Sequence, residues 1–264
     1  MNIFEKDIYV KAAEPWLFKT EVSPRWSVNE TANGGYLLAI LANATATLTD
    51  KTATPVLTAN YISRTLTEKA EIAVEQFSRS RQFNRYQASL LQGGDEKVRA
   101  FATFAAESAQ DPIQRYEEPP PQIAAFEDCI RIPAMPGYSI FENLDVYLDP
   151  ECAGWMENRP SEKSEQKGWV RFPDETRFNL LSVLLAADAF PPAVLASQGM
   201  KAWVPTLEFS VSVRSIPDSA RLKGRFRTRF INCGILEEDG ELWDENNELV
   251  AVSRQIARFS PQRR

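Results

Sequence analysis

Apolar and polar residues follow two different periods along the chain. Two blocks, 37–48 and 172–192, are apolar on most sides and predict helices buried in a core. The second helix is expected to start near Asp174 and to be interrupted by Pro191-Pro192, which places one carboxylate, Asp188, in its last apolar turn. Burial of an unpaired carboxylate is costly, so Asp188 is the first candidate for a functional residue.

Strands in which apolar and polar positions roughly alternate follow each helix. After the first helix they are predicted at 55–66, 70–81, 85–92 and 97–107. After the second they are predicted at 203–215, 221–232 and 248–259, with a short segment that ends in a turn at Glu238-Asp239-Gly240 before the last of them. A further strand is predicted at 139–149, ahead of a polar loop at 151–168. The order of strand, helix and four antiparallel strands therefore occurs twice.

This duplication defines the predicted domains. Residues 1–107 form the first copy, a proline-rich linker covers 108–138, and residues 139–264 form the second copy. A shift that pairs Pro55 with Pro205 aligns the strands of the two copies. Because there are only two copies, the chain is predicted to be a pseudo-dimer rather than a solenoid.

The two copies differ at a few positions that matter chemically. Three polar residues of the second copy have less reactive counterparts in the first: Asp188 matches Asn43, Thr206 matches Val56 and Gln255 matches Ala105. The first copy instead has Gly34-Gly35 at its helix start, after the predicted cap Asn33. A fused ancestor with two identical sites would decay in this complementary way. We therefore predict one surviving site to which both copies contribute.

Composition and charge narrow the class of protein. The chain is 44% hydrophobic and 25% charged, as in a soluble globular protein, and its net charge of −6 argues against nucleic acid as the main partner. No apolar run approaches the ~18 residues that predict a membrane span, and the N-terminus lacks the layout of a signal peptide. The three cysteines are isolated from one another. We therefore expect a cytoplasmic protein without a zinc site.

The chain contains no histidine. This absence excludes Ser-His-Asp and Cys-His nucleophilic machinery, HExxH zinc sites and a histidine general base. The sequence also has no phosphate-binding loop, no GxSxG elbow and no dinucleotide fingerprint. We expect no metal and no cofactor, and an enzyme of this composition must use carboxylates, amides, hydroxyls and backbone dipoles, with lysine as a further option.

Several short motifs, in this order, resemble those of the acyl-CoA thioesterase II (TesB-like) family. They are Asn33-Gly34-Gly35-Tyr36, Phe83-Asn84-Arg85 followed by Gln92-Gly93, Ala187-Asp188, Pro205-Thr206-Leu207-Glu208 and Val252-Ser253-Arg254-Gln255. The resemblance extends from about residue 26 to 259 and implies an α+β fold, the tandem (double) hotdog. In that fold each half is an antiparallel sheet wrapped around a central hydrophobic helix. Thr103-Phe104-Ala105 departs from the Ser-Phe-Gln that is common in the family.

The resemblance also implies a site. In the family an Asp, a Thr and a Gln of the second half hold the hydrolytic water, and these match Asp188, Thr206 and Gln255 by position. Backbone N–H groups at the first helix start, around Gly34, Gly35 and Tyr36, are the expected oxyanion donors. Burial and the negative end of its own helix are both expected to raise the pKa of Asp188.

The expected reaction is hydrolysis of an acyl thioester of coenzyme A or of an acyl-carrier protein, without a covalent intermediate. Two such units could pair as a homo-oligomer, as is frequent in the family. The acyl chain is not predicted.

Each candidate residue also has a structural interpretation. Asp188 could cap a helix or reach solvent, Thr206 could be an ordinary strand residue, and Gln255 could face solvent. Gly34-Gly35 could serve only as a tight helix entry. Two other functions stay open: a hotdog dehydratase, which the lack of histidine disfavours, and a non-catalytic acyl-thioester-binding or scaffold protein.

Overall fold

The computed structural model describes residues 2–107, 114–200 and 202–261. Part of the predicted linker, 108–113, and the C-terminal residues 262–264 lie outside the described residues. The α-helices are α1 (Ile3–Asp7), α2 (Gly34–Ala46), α3 (Ile140–Asn143), α4 (Leu180–Ala186) and α5 (Val194–Gln198). Short 3-10 helices occur at Pro24–Trp26, Phe126–Asp128 and Ala153–Glu157.

The first half of the chain contains long strands that follow α2, as predicted. Its strands are β1 (Lys11–Glu14), β2 (Leu17–Glu21), β3 (Ser27–Val28), β4 (Thr31–Ala32), β5 (Ala53–Tyr61), β6 (Lys69–Arg79), β7 (Phe83–Gln92) and β8 (Asp95–Ala105). They hydrogen-bond in the order β1-β2-β6-β7-β8-β5, apart from the small β3–β4 pair. Strict alternation of exposed and buried positions along β6 explains why its one apolar face lies on α2.

The second half repeats this layout. Its strands are β9 (Ile130–Arg131), β10 (Asp145–Leu148), β11 (Glu165–Arg171), β12 (Ala202–Trp203), β13 (Thr206–Val213), β14 (Arg221–Arg227), β15 (Ile231–Asn232), β16 (Ile235–Trp243), β17 (Leu249–Arg258) and β18 (Ser260–Pro261). The main path runs β13-β17-β16-β14-β11-β10-β9. The order β5-β8-β7-β6-β2 of the first half and β13-β17-β16-β14-β11 of the second are equivalent, which confirms the predicted duplication.

The halves join through an antiparallel ladder between β5 and β13. Ala59 lies opposite Phe209, a difference of the same 150 positions that separates Pro55 from Pro205. The ladder is symmetric about this pair, because Thr58 faces Ser210 just as Asn60 faces Glu208. The pair therefore marks a pseudo-twofold axis. Across the seam the Thr58 and Ser210 hydroxyls form a hydrogen bond of 2.9 Å, and all described long strands belong to one 14-stranded sheet.

Helices α2 and α4 pack against each other inside the wrapped sheets. Nearly every residue of α2 from Gly35 onward is buried, as its uniformly apolar sequence requires. The helices approach closely at Gly35, where a Cβ atom would lie 2.5 Å from the carbonyl oxygen of Leu184. Glycine is thus required at this crossing for steric reasons.

Helix α4 is shorter than predicted at both ends. The expected start at Asp174 is wrong, because Asn179 caps the helix by accepting from the N–H groups of Leu181 and Ser182. The Asp174 carboxylate accepts instead from the Thr176 N–H in a preceding turn. The helix ends at Ala186, so Asp188 follows the helix rather than occupying its last turn.

Three other local predictions are also wrong. The segment predicted as one strand at 139–149 is α3 followed by β10. The polar loop predicted at 151–168 contains the buried Trp155 and most of β11. The turn predicted at 238–240 lies inside β16, because Gly240 serves there as a packing position whose missing Cβ makes room for the Phe226 ring.

Candidate active site

Asp188 lies against the N-terminus of α2, the helix of the other half. Its Oδ2 accepts hydrogen bonds of 2.9 Å from the Gly35 N–H and 2.9 Å from the Asn33 side-chain amide. Asn33 also caps α2, because its Oδ1 accepts from the Tyr36 N–H at 3.0 Å. One side chain therefore both starts α2 and holds the carboxylate that follows α4. This arrangement places the only acidic group of the loop after α4 at the positive end of a long helix.

Gln255 and Thr206 complete a hydrogen-bonded chain with Asp188. The Gln255 Nε2 lies 3.0 Å from Asp188 Oδ1 and 2.5 Å from Thr206 Oγ1. Gln255 is 8% exposed and comes from β17, whereas Thr206 is the first residue of the neighbouring β13. Three residues that are up to 67 positions apart in sequence thus meet, as the comparison of the two copies predicted. Their catalytic roles stay a prediction.

Burial determines the charge state of Asp188. The residue keeps partial solvent access, yet the protein around it raises the pKa of the carboxyl to about 6. Hydrogen bonds from Gly35, Gln255, Gly34 and Asn33 oppose this effect and lower the pKa. The direction of the shift agrees with the expectation, but the expected cause is only half right. The helix terminus that bonds to the Asp188 carboxylate is the start of α2, which stabilises the anion, whereas the end of α4 accepts only the Asp188 backbone N–H, at the Leu185 carbonyl.

The predicted oxyanion donors are already engaged in the structure. The N–H groups of Gly34 and Gly35 are directed at Asp188, and the Tyr36 N–H is taken by the Asn33 cap. The Tyr36 ring is fully buried, and its hydroxyl donates to the Asp7 carbonyl at 2.7 Å, away from Asp188. Gly34 and Gly35 therefore lie at the centre of the site, whereas Tyr36 supports the helix start.

Two residues that border the site were missed by sequence reasoning. The Tyr61 hydroxyl donates to the Gly34 carbonyl at 2.7 Å, and burial together with the nearby charge of Asp188 raises the pKa of this phenol. Glu238, on β16, is 7% exposed and lies opposite Gln255. It was missed because Glu238-Asp239-Gly240 has the composition of a turn. Its buried position within a strand of alternating burial could not be inferred without the correct strand boundaries.

The equivalent region of the first half has no comparable chain of polar groups among the described residues. Asn43, the counterpart of Asp188, donates from its side chain to the Ile8 carbonyl at 2.9 Å. Phe4 and Ile8, within and just after α1, are buried beside it in the core. The first copy thus carries an amide with a structural partner where the second carries a titratable carboxylate.

No group of three or more metal-binding side chains occurs among residues 2–107, 114–200 and 202–261. In the same ranges no helix has the length and apolar character needed to cross a membrane.

Two helices enclosed by a duplicated antiparallel sheet, with one polar site between the copies, define a tandem hotdog protein. Comparison with models of protein families identifies the family to which the chain belongs. Residues 22–105 match the acyl-CoA thioesterase N-terminal domain and residues 119–259 match the acyl-CoA thioesterase C-terminal domain. The chain belongs to this acyl-CoA thioesterase family and is therefore a thioester hydrolase. No curated protein sequence gives a significant match.

Solved structures with the same architecture cover almost the whole chain. A provisionally assigned thioesterase II from Thermobifida fusca YX is 25% identical, with 98% of each chain covered and a TM-score of 0.90. A hot dog fold protein from Alicyclobacillus acidocaldarius, 17% identical, covers 100% of both chains with a TM-score of 0.90. The acyl-CoA thioesterase II TesB2 from Mycobacterium marinum, also 17% identical, covers 98% of both with a TM-score of 0.78. At 17% identity the last two likenesses show the fold alone.

Proposed function

We propose that this protein hydrolyses acyl thioesters by means of a water molecule held by Asp188, Thr206 and Gln255. The observation that carries the proposal is the hydrogen-bonded chain from Thr206 through Gln255 to Asp188, at the start of α2. A carboxylate with a pKa of about 6 is mostly ionised at neutral pH and still basic enough to accept a proton from water.

The reaction then needs only groups of this chain. Asp188 takes a proton as the water oxygen bonds to the thioester carbonyl carbon, which gives a tetrahedral oxyanion. Thr206 and Gln255 orient the water, since a hydroxyl can both donate and accept and an amide can do either at its two ends. The N–H groups of Gly34 and Gly35 donate to Asp188 in the free protein, and they transfer to the oxyanion and stabilise it when the substrate carbonyl approaches the helix start. The C–S bond breaks, the leaving thiolate takes the proton from Asp188, which becomes a carboxylate again, and the acyl group departs as a carboxylic acid.

Coenzyme A is the carrier that we favour over an acyl-carrier protein, because both halves of the chain match acyl-CoA thioesterase domains. We place the reaction in the cytoplasm and in lipid metabolism. The three cysteines Cys129, Cys152 and Cys233 are all free thiols, which supports a reducing compartment. Assembly into a homo-oligomer stays a prediction.

The proposed reaction is tested directly with a panel of acyl-CoAs and acyl-pantetheines, scored by thiol release. Acyl-carrier protein substrates form the second arm, and a faster reaction with them would assign the carrier. Release of thiol from at least one acyl-CoA at a rate well above the spontaneous rate is expected. A protein that binds these thioesters and leaves all of them intact would be a binding protein instead.

The rate of hydrolysis is expected to fall in acid with an apparent pKa near 6. Protonated Asp188 cannot accept a proton, so kcat/KM should decrease about tenfold per pH unit well below this value and reach a plateau above it. The measurement is a pH–rate profile between pH 4.5 and 7.5, with circular dichroism to confirm that the fold is retained. A flat profile over this range would rule out Asp188 as the base.

Replacement of Thr206 by valine is expected to lower kcat about 10–100-fold, because the variant keeps the β-branched shape but cannot bond to the water or to Gln255. The matched control is Thr58→Val, on β5, which removes a hydroxyl that bonds to Ser210 across the seam. Steady-state kinetics of both variants decide the matter. Equal rates for the two would show that the Thr206 hydroxyl has no role in hydrolysis.

A further inference from the structure

Glu238 is a buried carboxyl group that the proposed reaction does not use. It lies on the interior face of β16, directly across the ladder from Gln255, and only 7% of it is exposed. Residues opposite each other in an antiparallel pair share a face, so Glu238 and Gln255 point into the same space. On that face its neighbours along the strand are the apolar Leu236 and Gly240, both buried.

The carboxyl group also connects β16 to the segment that follows Asp188. Its Oε2 accepts a hydrogen bond from the N–H of Ala193, which is itself fully buried. Only residues 189–192 separate this anchor from Asp188. Glu238 therefore holds the loop behind Asp188 through the Ala193 N–H, and its side chain lies on the same face of the sheet as Gln255, which bonds to Asp188.

The charges that face Glu238 come from two elements. Burial is the main cause that raises the pKa of the Glu238 carboxyl, and the Ala193 N–H lowers it; Asp188, after α4, raises it further, and Asp239 on its own strand does so to a smaller extent. Asp239 lies on the opposite face, where Arg254 and Arg229 pair with it. Within the described residues no cation forms an ion pair with Glu238, and its ladder neighbour Gln255 is neutral. A second negative charge in this space would thus be uncompensated.

We propose that Glu238 is a positioning residue that works as a neutral carboxylic acid, and that loss of its proton to solvent sets the alkaline limit of the hydrolysis. This inference rests on the proposed function of Asp188. In the neutral form one negative charge, that of Asp188, occupies the site. In the ionised form two carboxylates face the developing oxyanion and oppose it. Burial raises the pKa of Glu238 to about 8, above that of Asp188, which orders the two ionisations.

The test is the pH–rate profile of Glu238→Gln between pH 5 and 10. Glutamine has the shape of the neutral acid and can accept from Ala193 N–H, so the variant should match the wild-type rate within about twofold at pH 7. Above pH 8 the wild-type rate should decline and the variant rate should not, which gives the variant an advantage of about tenfold at pH 9. The acid limb should be the same in both. Glu208→Gln, at an exposed position of β13, is the matched control and should keep the wild-type decline.

An alkaline limb with the same midpoint in Glu238→Gln would overturn the inference. A loss of more than about 100-fold at pH 7 would overturn it too, because the group would then act directly on the substrate or water. Should the glutamine variant fold poorly, Glu238→Met offers a side chain of similar length that carries no charge at any pH. It is expected to show a lower plateau and the same missing alkaline limb.

Thermal unfolding separates this inference from the proposed function. The pKa of Glu238 is raised from 4.5 to about 8 in the folded protein. The folded state therefore holds the proton more tightly than the unfolded chain, and the stabilisation present below pH 4.5 is lost as the pH rises to 8. The Tm of Glu238→Gln minus that of the wild type should increase over this interval. Parallel Tm curves would contradict the assigned ionisation even if hydrolysis proceeds, whereas a rising difference without any thiol release would leave only the hydrolysis refuted.

Discussion

Asp188→Asn is expected to lower kcat about 10²–10⁴-fold and to leave the fold intact, because it removes the proton acceptor without changing the shape of the side chain. The asparagine Oδ1 can still accept from Gly35 N–H and from Asn33, and its amide can donate to Gln255 once the Gln255 amide flips. The first half already contains Asn43 at the equivalent position and is well packed there. The variant therefore makes the two copies alike at the position where they differ most in chemistry.

The measurement is single-turnover and steady-state hydrolysis of the best acyl-CoA of the panel, together with a melting curve. Asp95→Asn is a matched control, since Asp95 is the exposed first residue of β8 in the first half. The acid limb near pH 6 should disappear from any residual activity of Asp188→Asn. A folded variant that hydrolyses within a fewfold of the wild-type rate would refute the proposed mechanism.

Gly35→Ala is expected to destabilise the protein by about 1–3 kcal/mol, or several degrees in Tm, and to abolish most of the activity. The added Cβ would lie 2.5 Å from the Leu184 carbonyl oxygen and 2.9 Å from the Asp188 Cβ. Backbone at the α2–α4 crossing cannot move without displacing both the helix start and the carboxylate. One methyl group would thus disturb the packing and the site together.

Gly34→Ala is the natural comparison for this variant. The three atoms nearest to its Cβ would all belong to side chains: the Asp188 Oδ2 and the Tyr61 hydroxyl oxygen, each at 3.0 Å, and the Tyr61 Cζ at 3.1 Å. We expect a smaller loss of stability and a large loss of activity. Chemical denaturation of both variants, in parallel with kinetics, distinguishes them. An unchanged unfolding midpoint for Gly35→Ala would show that the helices can separate without cost.

The duplicated architecture and the three polar residues of the site could be predicted because the two copies within the chain can be compared with each other. Asp188, Thr206 and Gln255 are ordinary residues when taken singly, and only their contrast with Asn43 and the apolar positions of the first copy marks them. The resemblance to a family then supplied the hotdog fold, which the structure confirms. Structure that depends only on neighbouring residues was also predicted correctly, since Asn33 caps α2 as its position in the sequence indicated.

The remaining parts depend on contacts between distant segments. Asn179 rather than Asp174 starts α4, since both residue types cap helices and tertiary packing selects one. Asp239-Gly240 resembles a turn but continues β16, because Arg254 on β17 pairs with the aspartate and Phe226 fills the space beside the glycine. Because a turn was predicted there, Glu238 was not recognised as a buried strand residue. The engagement of the Gly35 N–H by Asp188 joins two residues that are 153 positions apart at the crossing of two helices, and periodicity does not reveal such a contact.

The ladder between β5 and β13 has a consequence for how such a chain can evolve. Without its partner, each half would expose an unpaired edge strand, because β5 and β13 at the pseudo-twofold axis hydrogen-bond to each other. The first copy, which has Asn43 in place of Asp188, still provides Asn33, Gly34 and Gly35 to the proposed site. Selection on turnover in one copy therefore preserves the backbone of both. The first copy can change its polar side chains, but it cannot be deleted, separated from the second copy or replaced by another domain.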